Sequence, residues 1–157
     1  MTRPAQVIDG RARVAYATFG WALLTGVVHA LWPVAYFFWP AAGRATLGAD
    51  FFERAFSRPT FMAYDILVAT LFLAAGLLAF AVARPARAGL PRWLLVSGVW
   101  TAAVLLFLPG AAGVVRDLLV VLNVTQGTPS PLMFYDFWFL LGGSLFGATA
   151  MRLRQRT

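Results

Sequence analysis

The sequence predicts an all-α integral membrane protein, a four-helix bundle of up-down-up-down topology with both termini in the cytoplasm. Three observations predict this fold: four long apolar runs, a hydrophobic content of 61% against 12% charged residues, and an uneven distribution of arginines. A bilayer core about 30 Å thick requires about 20 apolar helical residues to cross it. The runs lie at residues 14–39, 61–83, 93–115 and 132–151, and each meets or nearly meets that length. We therefore expect a single four-span domain over residues 1–157.

The arginines predict the orientation of the four helices. All 13 basic residues are arginine, and nine of them precede the first run, separate the second from the third, or follow the fourth. Only one acid, Asp9, shares those segments, whereas the other four arginines are accompanied by five acids. Basic loops stay on the cytoplasmic side of a membrane, so we expect a multi-pass protein of a bacterial plasma membrane with both termini inside. The net charge of +7 follows from this asymmetry and does not indicate a nucleic-acid partner.

The segments between the runs agree with four helices. Pro33 removes a backbone hydrogen bond and is expected to kink the first span near its outer end. Residues 49–56 mix phenylalanines with charged residues, which favours a short helix on the outer membrane surface. Two prolines and a glycine at 84–92 predict a tight inner hairpin, and Ser130 followed by Pro131 predicts the start of the fourth helix.

The sequence has no cysteine and a single histidine, His29. Disulfides and cysteine-ligated metals are therefore excluded, and one histidine alone does not favour a metal or haem site. We predict neither a metal nor a cofactor. The first apolar run is about twice as long as the core of a signal peptide, so it is expected to remain as a span.

Several segments resemble a known family. They are GWALL at 20–24, VHALW at 28–32, the segment 84–95, YDFWFLLGG at 135–143 and LFG at 145–147. These segments are similar to a small actinobacterial family of four-span membrane proteins that is catalogued as a domain of unknown function. The resemblance covers most of the chain and implies four spans, without implying an activity.

Two acids lie within the apolar runs. Asp65 ends the motif MAYD at 62–65, and Asp136 ends the similar motif MFYD at 133–136. From each acid, steps of three and four residues pass mostly small side chains, the kind of surface on which membrane helices pack closely. Both carboxylates are therefore expected to point into the bundle, about 6–9 Å below the outer helix ends. The repeated motif fits either a duplicated helical hairpin or a chance similarity.

Together with His29, expected about 15 Å below the outer end of the first span, these acids predict an outward-facing pocket of acids and aromatic residues inside the membrane. An ionisable group at the centre of a span costs about 3 kcal/mol or more unless it is paired or hydrated, so it indicates a site by default. Two carboxyl groups held close in a medium of low dielectric constant retain a proton, and aromatic rings stabilise a cation. The predicted catalytic residues are Asp65, Asp136 and His29, and the predicted ligand-binding residues are Trp32, Tyr36, Tyr64, Tyr135, Trp138 and Arg116.

A structural role for the acids is the competing interpretation. A negative charge in the first turns of a helix is favoured by the helix dipole. Arg116 is positioned to pair with either acid, and Asp117 is positioned to pair with Arg58.

The leading functional hypothesis is binding of a small apolar ligand or lipid in the pocket. Its catalytic form would be isomerase- or cyclase-like proton transfer on a lipid or isoprenoid, and the sequence leaves open whether the protein is an enzyme. Two alternatives remain: a non-catalytic accessory subunit with a membrane-protein partner, and a small proton-coupled transporter or resistance protein.

Overall fold

The described part of the protein is all-α and contains four long helices. The computed structural model describes residues 10–47, 53, 59–84, 89–126 and 133–154. The helices are α1 (Gly10–Phe38), the short α2 (Pro40–Leu47), α3 (Pro59–Ala83), α4 (Arg92–Val121) and α5 (Met133–Arg154). The predicted all-α fold class is thereby confirmed.

Three of these helices are long and apolar enough to cross a membrane. The qualifying segments are Ala12–Leu31, Met62–Ala83 and Arg92–Val121. Helix α5 has 22 residues, about 33 Å of helix, but it carries Asp136 in its first turn and two arginines in its last. Those charges and several small residues dilute its apolar character, so its assignment as a fourth span stays a prediction.

The surface and the interior have the distribution expected of a protein in lipid. Large apolar side chains are exposed along the helices, and Leu105, for example, is 66% exposed. The buried positions are occupied largely by small residues: Ala15, Ala22, Ala69, Ala79, Ala103 and Ala150. Because lipid tails are as apolar as leucine, helices in a membrane associate through close packing at small residues rather than by hiding large ones. The chain is therefore a membrane protein.

The chain divides into two compact units. The first unit comprises Met1–Phe19 with Leu77–Thr157, and the second comprises Gly20–Gly76. In the first unit α4 and α5 run antiparallel with their backbones in close contact. A β-carbon at Gly110 would lie 2.5 Å from the Leu140 nitrogen, and one at Gly143 would lie 2.5 Å from the Phe107 nitrogen. The start of α1 joins them through Thr18, whose hydroxyl oxygen is 2.9 Å from that of Thr149.

In the second unit α1 packs antiparallel on α3. A β-carbon at Gly26 would lie 3.1 Å from the Leu73 side chain and 3.3 Å from the Ala69 carbonyl oxygen. Trp21 meets Phe72 edge-on, with 5.6 Å between ring centroids. Antiparallel pairing within each unit agrees with an up-down-up-down course.

The helix bounds differ from the predicted spans at several places. Helix α1 begins at Gly10, four residues before the predicted span, and α4 continues through Pro109 to Val121, six residues past the predicted end of that span. Asn123, two residues beyond the end of α4, adopts the left-handed conformation that asparagine tolerates. A short helix forms at Pro40–Leu47, whereas the surface helix predicted at 49–56 lies, apart from Glu53, outside the described residues. The Ser130-Pro131 start signal lies outside them as well.

Candidate functional site

The second unit contains an imidazole–carboxylate pair between α1 and α3. His29 Nδ1 lies 3.2 Å from Asp65 Oδ1. Asp65 is only 5% exposed, and the His29 side chain is 21% exposed. An imidazole that carries its proton on Nδ1 donates a hydrogen bond to this carboxylate, and Nε2 is then the ring nitrogen without a proton.

Aromatic rings fix the orientation of the His29 ring. Phe72 stacks on His29 with 5.7 Å between centroids and 19° between planes. Trp21 in turn packs edge-on against Phe72. Phe72 lies two helical turns after Asp65 on α3, so both reach the same face of α1. A role for Phe72 was not predicted from the sequence, although its spacing of seven residues from Asp65 places the two side chains on one face of α3.

The second oxygen of Asp65 is buried and has no hydrogen-bond partner among the described residues. Leaving a buried acceptor without a donor costs about 1–3 kcal/mol, and more for a charged group. His29 satisfies Oδ1 only. Within the described part of the chain, this oxygen is therefore an acceptor whose donor is missing.

A second polar cluster lies in the first unit, at the contact of α4 and α5. Arg116 Nη2 is 3.0 Å from Asp117 Oδ1 and 3.6 Å from Asp136 Oδ2. Arg116 Nε also donates to Asp117 Oδ1 at 3.1 Å. Asp117 is 1% exposed, while the Arg116 side chain is 60% exposed. Helix α4 has 30 residues, about 45 Å and thus longer than a bilayer core of about 30 Å, so an exposed guanidinium near its end is accommodated.

Gly113 makes room for this cluster. A β-carbon at Gly113 would overlap the carboxylate of Asp136. The contact between Arg116 and Asp136 is one of the two pairings expected if the acids have a structural role. Asp117 bonds to Arg116, and its expected partner Arg58 lies outside the described residues. The burial of Asp117 was not predicted from the sequence, because the predicted third span ends at residue 115.

The predicted aromatic walls have different surroundings. Tyr64 is 60% exposed and does not line the His29–Asp65 pair as a buried wall. Tyr135 and Trp138 are half-buried beside Asp136 in the sequence, and Trp138 stacks on Phe134 with 6.0 Å between centroids. The side chains of Trp32 and Tyr36 lie outside the described part, although their backbone belongs to α1.

The two predicted catalytic acids thus belong to different units, each with its own partner. Asp65 pairs with His29 in the second unit, and Asp136 contacts Arg116 in the first. That both acids share one pocket stays a prediction. Within the described ranges, no three His, Cys, Asp or Glu side chains are grouped so as to hold a metal ion.

A separate groove of about 480 Å³ lies between α4 and α5. Its lining is apolar apart from the Ser144 hydroxyl, and it includes Trp100, Phe107, Gly147 and Met151. The groove contains no ionisable group, so it offers shape for an apolar chain and no chemistry.

Comparison of the chain with protein-family models, with curated proteins and with solved structures found no match. The resemblance to an actinobacterial family accordingly stays a prediction. The fold and the buried pair define the class of protein: an α-helical membrane protein with an ionisable pair between its first and second long helices.

Proposed function

We propose that the protein binds a small apolar molecule or lipid inside the outer half of a bacterial plasma membrane, through a polar group that bonds to Asp65. The observation that supports this proposal is the buried Asp65 Oδ2 without a partner among the described residues, beside an oriented histidine. A hydroxyl or amine on the ligand would supply the missing donor. Hydrogen bonds to a charged group are about twice as strong as those between neutral groups, so one such bond is enough to orient the ligand.

The stacked rings define the kind of ligand. Phe72 covers one face of the histidine ring, Trp21 packs on Phe72, and both aromatic side chains are buried. A molecule that reaches Asp65 therefore passes apolar side chains before its polar group meets the carboxylate. This arrangement favours a lipid or isoprenoid alcohol or amine over a freely soluble polar solute.

The catalytic form of the proposal is a proton transfer. In this form the ligand brings a double bond rather than a donor to Asp65, which carries a proton on Oδ2. Asp65 gives this proton to one carbon of the double bond, and the neighbouring carbon becomes cationic. His29 then removes a proton from the adjacent carbon, and the double bond is re-formed one position along. The ligand is isomerised without an oxidant or a second substrate, and the proton returned to Asp65 completes the cycle.

Co-purification tests the binding proposal. Full-length protein is extracted into lipid nanodiscs, and the bound apolar molecules are identified by mass spectrometry. We expect one class to be enriched with the wild-type chain and to fall about 10- to 100-fold in Asp65→Asn, the effect of losing one hydrogen bond to a charged group.

Glu53→Gln is the matched control, because it also removes one carboxylate charge but from an exposed ion pair with Arg44. Equal recovery of the ligand with Asp65→Asn and with the wild type would refute the binding proposal. Partner chains that co-purify with both would favour an accessory subunit instead. Uptake or drug tolerance that depends on the proton gradient would favour a transporter.

A further inference from the structure

Three arginines join the helix ends at one end of the first unit, and each is bonded to a neutral oxygen. The bonds are Arg84 Nε to the Tyr16 hydroxyl at 2.8 Å, Arg92 Nη2 to the Leu153 carbonyl at 2.9 Å, and Arg152 Nη1 to the Gly10 carbonyl. They link α3 to α1, α4 to α5 and α5 to α1. We call these three residues the arginine ring.

Arg84 is held in a defined position. Its guanidinium lies 5.1 Å from the centroid of the Phe80 ring and 5.9 Å from that of Tyr16. Of the Arg84 guanidinium nitrogens, only Nε forms a hydrogen bond to a described residue. Nothing in the described part of the chain therefore occupies the two Nη groups, which can bind a ligand. A planar guanidinium whose position is fixed by rings and one bond presents its remaining donors as a fork that suits phosphate.

Arg84 and Arg92 lie at the same level of the helix pair. A β-carbon at Gly98 would lie 2.6 Å from Leu78 Cδ1, so α3 and α4 touch at these two positions. Arg84 is six residues after Leu78, and Arg92 is six residues before Gly98. Each is therefore about 9 Å beyond the contact on its own helix, in the same direction.

No acid in the described part of the first unit lies close to the arginine ring. Among the described residues of the first unit, the acids are Asp117 and Asp136. Asp117 is about 37 Å along α4 from Arg92, and Asp136 is about 24 Å along α5 from Arg152. Both separations exceed a Debye length of about 10 Å. Bonds to a hydroxyl and to carbonyls leave each guanidinium with its full charge.

We propose that the arginine ring binds the phosphate of an anionic phospholipid. Arg84 and Arg92 would hold the phosphate oxygens, and Arg152 would add charge and fasten α5 to α1. The ring lies at the ends of helices that are long and apolar enough to span a membrane, which is where headgroups are found. Orientation of a membrane protein requires positive charge on one side, but it does not require arginines that are positioned by ring stacking and hydrogen bonds. This inference is independent of the function proposed for Asp65.

Lipid titration of the full-length protein tests the proposal. The purified protein is titrated with short-chain phosphatidylglycerol or phosphatidylcholine, and bound lipid is counted by native mass spectrometry. We expect phosphatidylglycerol to bind at least about 10-fold more tightly than phosphatidylcholine. The double variant that carries Arg84→Gln and Arg92→Gln should lose that preference. Arg84→Lys keeps the charge but loses the fork, so we expect a loss of intermediate size.

Arg44→Gln is the control, because it removes one exposed arginine that is paired with Glu53 in the second unit. The preference for phosphatidylglycerol should survive in Arg44→Gln. An equal loss of the preference for phosphatidylglycerol in Arg44→Gln and in Arg84→Gln would overturn the proposal, since the number of positive charges alone would then explain binding. Displacement of the lipid by millimolar inorganic phosphate would also overturn it, because the site would then take free phosphate. Variants are compared only if their thermal unfolding in detergent matches that of the wild type, and Arg84→Lys provides the test if Arg84→Gln unfolds.

Discussion

Asp65 differs from the other described acids in the kind of partner it has. Glu53 pairs with Arg44, and both Asp117 and Asp136 contact Arg116. Asp65 alone pairs with a histidine, and one of its oxygens is buried without a donor among the described residues. A guanidinium presents up to five N–H donors, whereas the Nδ1 of an imidazole presents one. The histidine therefore satisfies a single oxygen of Asp65.

Removing the imidazole should destabilise the protein through Asp65. His29→Ala leaves Oδ1 as well as Oδ2 without a donor, so we expect a loss of about 1–3 kcal/mol in the free energy of unfolding. Adding Asp65→Leu should restore much of this loss, because a buried apolar side chain needs no donor. Thermal or detergent-induced unfolding of the single and double variants measures both effects. If the two single losses simply add in the double variant, the two residues are not coupled.

At the scale of helices, Gly143 and Gly147 have different roles although they are one turn apart on α5. Their Gly-x-x-x-Gly spacing is typical of close contacts between membrane helices. A β-carbon at Gly143 would lie 2.5 to 2.7 Å from the backbone and β-carbon of Phe107, whereas one at Gly147 meets nothing within 4 Å. Of these two glycines, the contact between α4 and α5 therefore needs only Gly143.

These two glycines offer a matched pair of substitutions. Gly143→Ala would push α4 and α5 apart, and we expect it to lower the free energy of unfolding by about 1–3 kcal/mol. Gly147→Ala adds the same methyl group in open space and should be neutral or stabilising by up to about 1 kcal/mol, because alanine favours helix. The two variants are compared by their unfolding in detergent, which is monitored by circular dichroism. Similar losses for both variants would mean that position 147 is also a close helix contact.

At the scale of the whole molecule, the topology depends on whether α5 crosses the membrane. Three helices qualify as spans by length and apolar character, and α5 does not. The distribution of arginines nevertheless predicts that the segment after α5 lies on the same side as the N-terminus. With three spans the two termini would lie on opposite sides, so the position of the C-terminus decides the number of spans.

Because the chain has no cysteine, single introduced cysteines can show on which side of the membrane each end of α5 lies. Thr125→Cys places a thiol in the exposed segment before α5, and Gln155→Cys places one after it. In intact cells a membrane-impermeant maleimide should label Thr125→Cys and leave Gln155→Cys unlabelled until the cells are opened. Labelling of both in intact cells would show that α5 does not cross the membrane.

The amino-acid sequence alone was sufficient to predict a helical membrane protein with two acids and one histidine in its apolar segments. These properties depend on local composition and on runs of residues close together in the chain, so no distant contact is needed to infer them. Only the tertiary structure decided that Asp65 meets His29, that Asp136 and Asp117 meet Arg116, and that Gly143 but not Gly147 lies against another backbone. Each of those contacts depends on how a helix is rotated about its axis. One residue changes that direction by about 100°, which is enough to turn a side chain from its partner into lipid.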